Sequence, residues 1–319
     1  DTDRALIVKV EWDGTPADWR TDEEIASGMA GAREWSGEVS NGAYDIVSTQ
    51  RPGWLTIDAP ATPCGSDYGT FSFQVRDATN KALRNIGIDM YAAYDLQLIY
   101  IPWAGCPYAG VSLGSATIYH RSFTADLLAH EIGHSLGLGH AGTLHCTRDG
   151  EEVAHSDTCT GSTYGDRYDV MGSAVTGMYA APRLAALGWL KPTAVRTMPE
   201  PQPTKTSTAT FDIGPFADHQ AAVRAVRIPL AVGTSVWVEN RQKVGVDSNM
   251  WADEVGVQVR GEPKSFAPET PGADYYTDTF LIDGRAGEDD CFCAETLAPG
   301  RPVVLLDGQV TIEVSAVNP

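Results

Sequence analysis

Residues 130–140 read HEIGHSLGLGH, and this stretch decides how the rest of the chain is interpreted. His130 and His134 are four residues apart, so on a helix their imidazoles project from one face, one turn apart. His140 can join them only if the chain reverses after the helix, and Gly137 stands where a residue with positive φ would permit that turn. Three imidazoles that leave a fourth position to water are typical of a catalytic zinc site. The sequence therefore predicts one zinc ion bound by these three histidines.

The predicted catalytic residue is Glu131, which follows the first histidine directly. At this position a carboxylate can stand beside a metal-bound water and take its proton without binding the metal itself. That arrangement is typical of hydrolases. Three histidines, one glutamate and one glycine at these offsets would arise by chance on the order of once in 10⁵ chains of this length.

On these residues the sequence resembles the metzincin zinc peptidases, because their signature His-Glu-x-x-His-x-x-Gly-x-x-His is matched at every fixed position. Metzincins also have a methionine turn beneath the zinc, and residues 168–172, YDVMG with Met171, are similar to it. Together with residues 181–182 and 187–190, this turn looks most like the gametolysin-type secreted peptidases. The resemblance covers residues 95–191 and implies a secreted zinc endopeptidase that hydrolyses protein or peptide substrates.

The sequence departs from part of the metzincin pattern at Ser173. In some metzincin families a tyrosine two residues after the turn methionine supports the zinc or the transition state, and serine occupies that position here. Two alternatives stay open. Either Tyr164, Tyr168 or Tyr179 substitutes for it, or zinc stabilises the oxyanion unaided.

Strand and helix patterns alternate before the motif. They predict strands at residues 6–12, 44–49 and 96–101, and helices at residues 21–37 and 66–91. This alternation indicates an α/β layer with a sheet of mainly parallel strands. With the resemblance, it predicts an α/β metzincin catalytic domain, that is, a mixed sheet with an active-site helix that starts near Ser122 or Thr124 and ends at Gly137.

Residues 110–120 are extended and rich in glycine, as in an exposed edge strand. A peptide substrate could pair with such an edge through its main chain, whatever its side chains. The residues predicted to hold the substrate are Val111, Ser112, Leu113 and Gly114.

The composition changes after residue 191, where four prolines lie amid threonine and serine between residues 192 and 203. Such a composition is typical of an extended connector, so we predict a peptidase domain at residues 1–191 and a second domain at residues 192–319. Seven short alternating runs follow, at residues 209–213, 223–230, 235–239, 255–259, 279–282, 303–306 and 310–314. They predict an all-β sandwich. Residues 142–167 are polar and read as a loop, and residues 182–190 as a helix.

Six cysteines point to an oxidising compartment, although six allow fifteen pairings. They are Cys64, Cys106, Cys146, Cys159, Cys291 and Cys293. Cys146 and Cys159 are the best local candidates for a disulfide. The chain also begins Asp1-Thr2-Asp3 without a signal-peptide pattern, which suits a mature secreted, extracellular form or a trimmed one.

The formal net charge of −19 repels phosphate backbones and anionic lipids, so nucleic acid is excluded as a partner. No apolar run reaches the roughly 18 residues of a spanning helix, so no membrane span is predicted. We expect a monomer. The histidines outside the motif, His120, His145, His155 and His219, are expected at the surface rather than on the metal.

Two features of the second domain leave other roles open. Residues 283–290 are acidic and broken by glycine, so they are a candidate calcium loop, but they lack the ligand spacing of an EF-hand. Tyr275, Tyr276 and Trp251 could stack on sugars, although aromatics are usually core. The alternatives are therefore a peptidase restricted to glycoproteins, or an adhesion or glycan-binding protein with an idle zinc site. If the protein is a peptidase restricted to glycoproteins, deleting the predicted sandwich at residues 192–319 should spare its cleavage of peptides.

Overall fold

The computed structural model describes residues 1–15, 20–102, 104–174, 177–202, 204–231, 233–250, 255–262, 277–287 and 296–316. It shows a mixed α/β protein with several sheets and few helices. The chain forms two compact units, Asp1–Gly137 and Leu138–Pro319.

The first unit is built on a five-stranded sheet with the order β2-β1-β3-β5-β4. Its strands are β1 (Thr2–Glu11), β2 (Asp45–Thr56), β3 (Leu96–Ile101), β4 (Gly110–Leu113) and β5 (Ala116–His120). The pairs β1–β2, β1–β3 and β3–β5 are parallel, whereas β4 pairs antiparallel with β5. The expected α/β layer is therefore present, and the predicted edge segment is a hairpin whose outer strand is β4.

Among the described residues of this unit, the helices are α1 (Asp22–Val39), α2 (Tyr68–Asn85), α3 (Met90–Ala93) and α4 (Ala125–Ser135). Thr21 begins α1 with a capping box, because its hydroxyl accepts from Glu24 N and its own N–H donates to the Glu24 carboxylate. A β-carbon on Gly28 of α1 would lie 1.9 Å from the Phe123 carbonyl oxygen. Glycine at this position lets α1 pack closely against the segment that leads into α4.

The second unit contains an eight-stranded sheet with the order β7-β6-β13-β12-β11-β10-β9, in which β8 also pairs with β6, and a two-stranded sheet, β14-β15. The strands are β6 (His140–Arg148), β7 (Glu151–Val153), β8 (Cys159–Ser162), β9 (Val195–Thr197), β10 (Ala225–Pro229), β11 (Ser235–Arg241), β12 (Gly256–Gly261), β13 (Thr277–Ile282), β14 (Val303–Leu305) and β15 (Val310–Ile312). The described residues of this unit also include one short helix, α5 (Ala181–Ala186), and 3₁₀ turns at Pro192–Ala194, Gly245–Asp247 and Leu306–Gly308.

The division between the units differs from the boundary expected at residues 191/192. The reason is β6, which begins inside the histidine motif and pairs in parallel with β13, with Gly142 opposite Phe280 and Leu144 opposite Ile282. The loop predicted at residues 142–167 is accordingly wrong, because this stretch contributes β6, β7 and β8. Its polar, glycine-rich composition hides extended backbone that acquires partners only in the folded sheet.

Six of the seven runs predicted as strands in the C-terminal part contain a strand, and the run at 209–213 does not. In this exception Phe211 and Ile213 pack against the apolar cluster of the unit without forming a strand ladder. That cluster joins residues of both sheets, including Val236, Val259 and Leu305. The strands thus form one large sheet that also contains β6–β8, together with a small two-stranded sheet.

Two disulfides are present among the described residues. Cys146 bonds Cys159, the predicted pair, and Cys64 bonds Cys106. Cys291 and Cys293 lie outside the described residues, as do Trp251, Tyr275, Tyr276 and residues 288–290 of the candidate calcium loop. Disulfides are compatible with an extracellular protein.

None of the helices in the described ranges combines the length and the apolar character needed to cross a membrane.

Candidate metal centre

The helix α4 presents the first two histidines of the motif. It begins after Thr124, whose carbonyl oxygen accepts from Leu128 N, and its last turn closes where Leu136 N donates to Ile132 O at 2.9 Å. Gly137 follows with φ of 90° and donates its N–H to His134 O at 3.0 Å. A left-handed residue at this point ends the helix, as glycine does at many helix C-termini.

The three histidines of the motif lie together. One ring nitrogen from each of His130, His134 and His140 lies within 4.8 Å of the others. The first two rings are half-buried and stand edge to face with centroids 4.9 Å apart, and His140 is buried. Neutral imidazoles suit zinc, copper, iron and nickel. Within the described ranges, this is the cluster of His, Cys, Asp and Glu side chains that could hold a metal ion.

Glu131 lies on the buried face of α4 with Leu128 and Ile132, and 4% of it is exposed. Burial raises the pKa of its carboxyl from 4.5 to about 8, because a charge there loses its hydration. Its Oε2 atom is buried without a hydrogen-bond partner among the described residues. A buried carboxylate oxygen in this state can accept a hydrogen bond from a ligand or a water, as a proton acceptor must.

The edge strand β4 lies directly against Glu131. A β-carbon on Gly110 would stand 2.5 Å from Oε1 of Glu131 and 2.8 Å from its Cδ, so the strand approaches the carboxylate as closely as glycine allows. The sequence analysis did not select Gly110. A signal existed, since glycine inside a strand often marks the close approach of another group.

The predicted substrate residues occupy the outer strand of the sheet and its turn. Val111, Ser112 and Leu113 are half-buried in β4, and Gly114 follows in the turn to β5 with φ of 79°. The hydroxyl of Ser135, at the end of α4, donates to Gly114 O at 2.8 Å. The helix that holds two histidines is therefore tied to the edge strand.

The predicted methionine turn is hydrogen-bonded to Ala141, the residue that follows His140. Met171 is fully buried, and its carbonyl oxygen accepts from Ala141 N at 2.9 Å. The buried carboxylate of Asp169 holds the turn by accepting from Met171 N and from Ala180 N, each at 2.8 Å. The turn thus fixes the peptide that follows the third histidine.

Gly139, before the third histidine, is held by two side chains that the sequence analysis missed. Its N–H donates to Oδ2 of Asp278 at 2.6 Å, and its carbonyl oxygen accepts from Nη1 of Arg183 at 2.6 Å. Asp278 comes from β13 and Arg183 from α5. No local pattern marks either residue: the pairing of β6 with β13 brings Asp278 to the motif, and Arg183 reaches it through its contacts with Asp278 and Thr279.

Three tyrosines are candidates to replace the tyrosine that the chain lacks at Ser173, and Tyr164 is the one beside a histidine of the motif. Its ring centroid lies 4.2 Å from that of His140, and half of the residue is exposed. Tyr168 and Tyr179 are buried.

The other described histidines are outside the cluster, but two of them are not at the surface. His120 is fully buried and its Nε2 accepts from Ala104 N at 3.0 Å, and His155 is 7% exposed. The expectation of surface positions is therefore wrong for these two. His120 instead holds the loop before β4 through a backbone hydrogen bond.

Comparison with known proteins does not identify a family. No family model and no curated protein matches the chain. One solved structure that matches is described as "Structure of a chaperone-substrate complex", with 17% sequence identity and a TM-score of 0.37. The match covers 57% of this chain and 29% of the other. A likeness this low supports no statement about fold or function.

Proposed function

We propose that this protein is a secreted, zinc-dependent endopeptidase of the metzincin type. The observation that carries the proposal is the cluster of His130, His134 and His140, with the buried carboxylate of Glu131 on the same helix directly after the first histidine. Three imidazoles and one adjacent carboxylate are the donor set and the base that metal-assisted hydrolysis needs. The extended histidine signature and the methionine turn at Met171 support the same assignment.

The fit of the site to zinc rests on its donors. His130, His134 and His140 supply three nitrogens and leave a fourth position for water, as catalytic zinc sites do. When bound there, zinc would lower the pKa of that water and polarise the scissile carbonyl. The positive charge would also favour the ionised form of Glu131 against the effect of burial.

The chain's own residues then handle the proton and the substrate. Glu131 accepts a proton from water on its carboxylate and passes it to the leaving amine. The outer edge of β4 binds an extended peptide through main-chain hydrogen bonds at Val111–Leu113, on the strand whose Gly110 lies against the Glu131 carboxylate. In some metzincins a tyrosine at the position of Ser173 supports the transition state. The hydroxyl of Tyr164 is the candidate for that role in this protein.

The first test is cleavage of a diverse, unmodified peptide library, with cut sites identified by mass spectrometry. The wild-type protein loaded with zinc should make internal cuts, and Glu131→Ala should make at least about 10²-fold fewer, the low end of the contribution of a general base. Zinc content, measured by atomic absorption, should be the same in both proteins.

Two outcomes would contradict the proposal. Full turnover by Glu131→Ala would exclude this residue as the base, and loss of zinc together with turnover would make it a ligand. If the zinc-loaded wild-type protein makes no cuts, the endopeptidase proposal fails for free peptides, and the same assay on glycoproteins then tests the restricted alternative.

A further inference from the structure

We propose that Asp278 and Arg183 are positioning residues that hold His140 in place as the third metal ligand. This inference rests on the proposed metal site. All of the residues that carry it, Gly139, His140, Arg183 and Asp278 together with Met171, belong to the second unit.

The need for such a device follows from the residues before His140. Gly137 and Gly139 flank Leu138, and glycine has more backbone freedom than any other residue. That freedom allows the chain to reverse after α4, but it also leaves a ligand at His140 poorly fixed. Ordering a ligand costs conformational entropy, so a ligand that the protein already holds in place binds a metal more tightly than a mobile one.

The structure removes this freedom on both sides of His140. On the N-terminal side, Gly139 donates to Asp278 and accepts from Arg183, both at 2.6 Å, and hydrogen bonds to charged groups are about twice as strong as neutral ones. On the C-terminal side, Ala141 donates to Met171 O at 2.9 Å. Three hydrogen bonds therefore fix the peptide groups on either side of the ligand.

The two charged residues are themselves fixed. The guanidinium of Arg183, of which 1% is exposed, pairs with Asp169 at 3.0 Å, with Asp278, and with Oγ1 of Thr279 at 2.9 Å. A buried cation persists only when it is paired and hydrogen-bonded in this way. Because Asp278 and Thr279 lie in β13, a strand far along the chain determines the position of a ligand in the motif.

The experiment measures zinc affinity rather than turnover, by competition with a chromophoric chelator. Asp278→Ala removes the acceptor for Gly139 N and should weaken zinc binding about 10- to 100-fold, the usual effect of losing an outer partner of a ligand. Asp278→Asn keeps an oxygen that can accept from Gly139 and should stay within about 3-fold of wild type. Glu262→Ala is the matched control, because it removes a carboxylate of the same unit that accepts from Trp237 Nε1 at 3.3 Å and takes no part in the contacts that hold Gly139.

Each outcome separates this inference from the proposed function. His140→Ala must lose zinc affinity, since otherwise the metal site itself is wrong. If His140→Ala loses zinc while folded Asp278→Ala binds zinc as tightly as wild type and Glu262→Ala do, the positioning role is overturned and the metal site stands. Equal losses of zinc affinity in Asp278→Asn and Asp278→Ala would also overturn the positioning role. If Asp278→Ala does not fold, amide exchange of Gly139 in the zinc-free wild-type protein decides, and exchange at the rate of an unstructured glycine overturns the inference.

Discussion

Replacing Gly110 with alanine would place one methyl group against the carboxylate of Glu131. The new β-carbon would stand 2.5 Å from Oε1, 2.7 Å from Cγ and 2.8 Å from Cδ, whereas ordinary contact begins near 3.4 Å. The carboxylate must therefore retreat by about 0.9 Å, the difference between 3.4 and 2.5 Å. Gly110 does not have positive φ, so alanine meets no backbone strain there.

A displacement of this size should be visible in the rate of the chemical step. A misplacement of about 1 Å in a catalytic group can lower the rate about 10²-fold. The three closest atoms to the new methyl group all belong to Glu131, so the histidines should keep their zinc. We expect kcat to fall about 100-fold for Gly110→Ala, with unchanged zinc content.

The assay is steady-state cleavage of a fluorogenic peptide chosen from the library cuts, with zinc content measured on the same samples. Gly37→Ala is the matched control, because a β-carbon there meets nothing within 4 Å. Wild-type kcat in folded, zinc-loaded Gly110→Ala would refute the argument that glycine is needed beside the base. A fall in kcat that follows zinc loss would instead place the effect on the ligands.

Two further predictions concern the stability of the protein. In the zinc-free state the pKa of Glu131 is raised from 4.5 to about 8, so the stability that its protonated form contributes is complete below pH 4.5 and lost as pH rises through 8. The free energy of urea unfolding of Glu131→Gln should therefore rise relative to that of wild type between pH 5 and pH 9, by up to about 5 kcal/mol. Parallel pH profiles of the two proteins would contradict this. A chain ending at residue 191 loses β13, the partner of β6, and Arg260, which pairs with buried Asp166 at 2.8 Å. That fragment should be insoluble or fail to bind zinc, and a soluble zinc-binding fragment that cleaves peptides would restore the boundary expected from the sequence.

The truncation tests whether residues 1–191 can fold without the C-terminal strands. With an independent peptidase domain at residues 1–191, deleting the remainder should spare peptide cleavage. The sheet argues otherwise, because β6 continues directly from the histidine motif into pairing with β13. A loss of activity on deletion would thus report a missing part of the fold, and only point changes that leave β13 intact can test a role in glycan recognition.

The elements that the sequence predicted well depend on local spacing. The interval of four between His130 and His134 places both on one face of a helix, and the structure brings their nitrogens together with that of His140. The capping box at Thr21 and the pair Cys146–Cys159 are likewise short-range features, and both are present. In each case the interacting groups are close along the chain, so few alternative arrangements compete with the observed one.

The tertiary structure alone decided what depends on distant residues. The polar stretch after His140 gives no sign of β6, since its partner β13 begins at Thr277, more than a hundred residues later. The same pairing brings Asp278 to Gly139, and the packing of β4 on α4 brings Gly110 to Glu131. Such contacts form only when the whole sheet and its apolar core are assembled, because their free energy comes from burying many residues together. The sequence by itself therefore determined which three histidines would come together, and the fold decided what holds them in position.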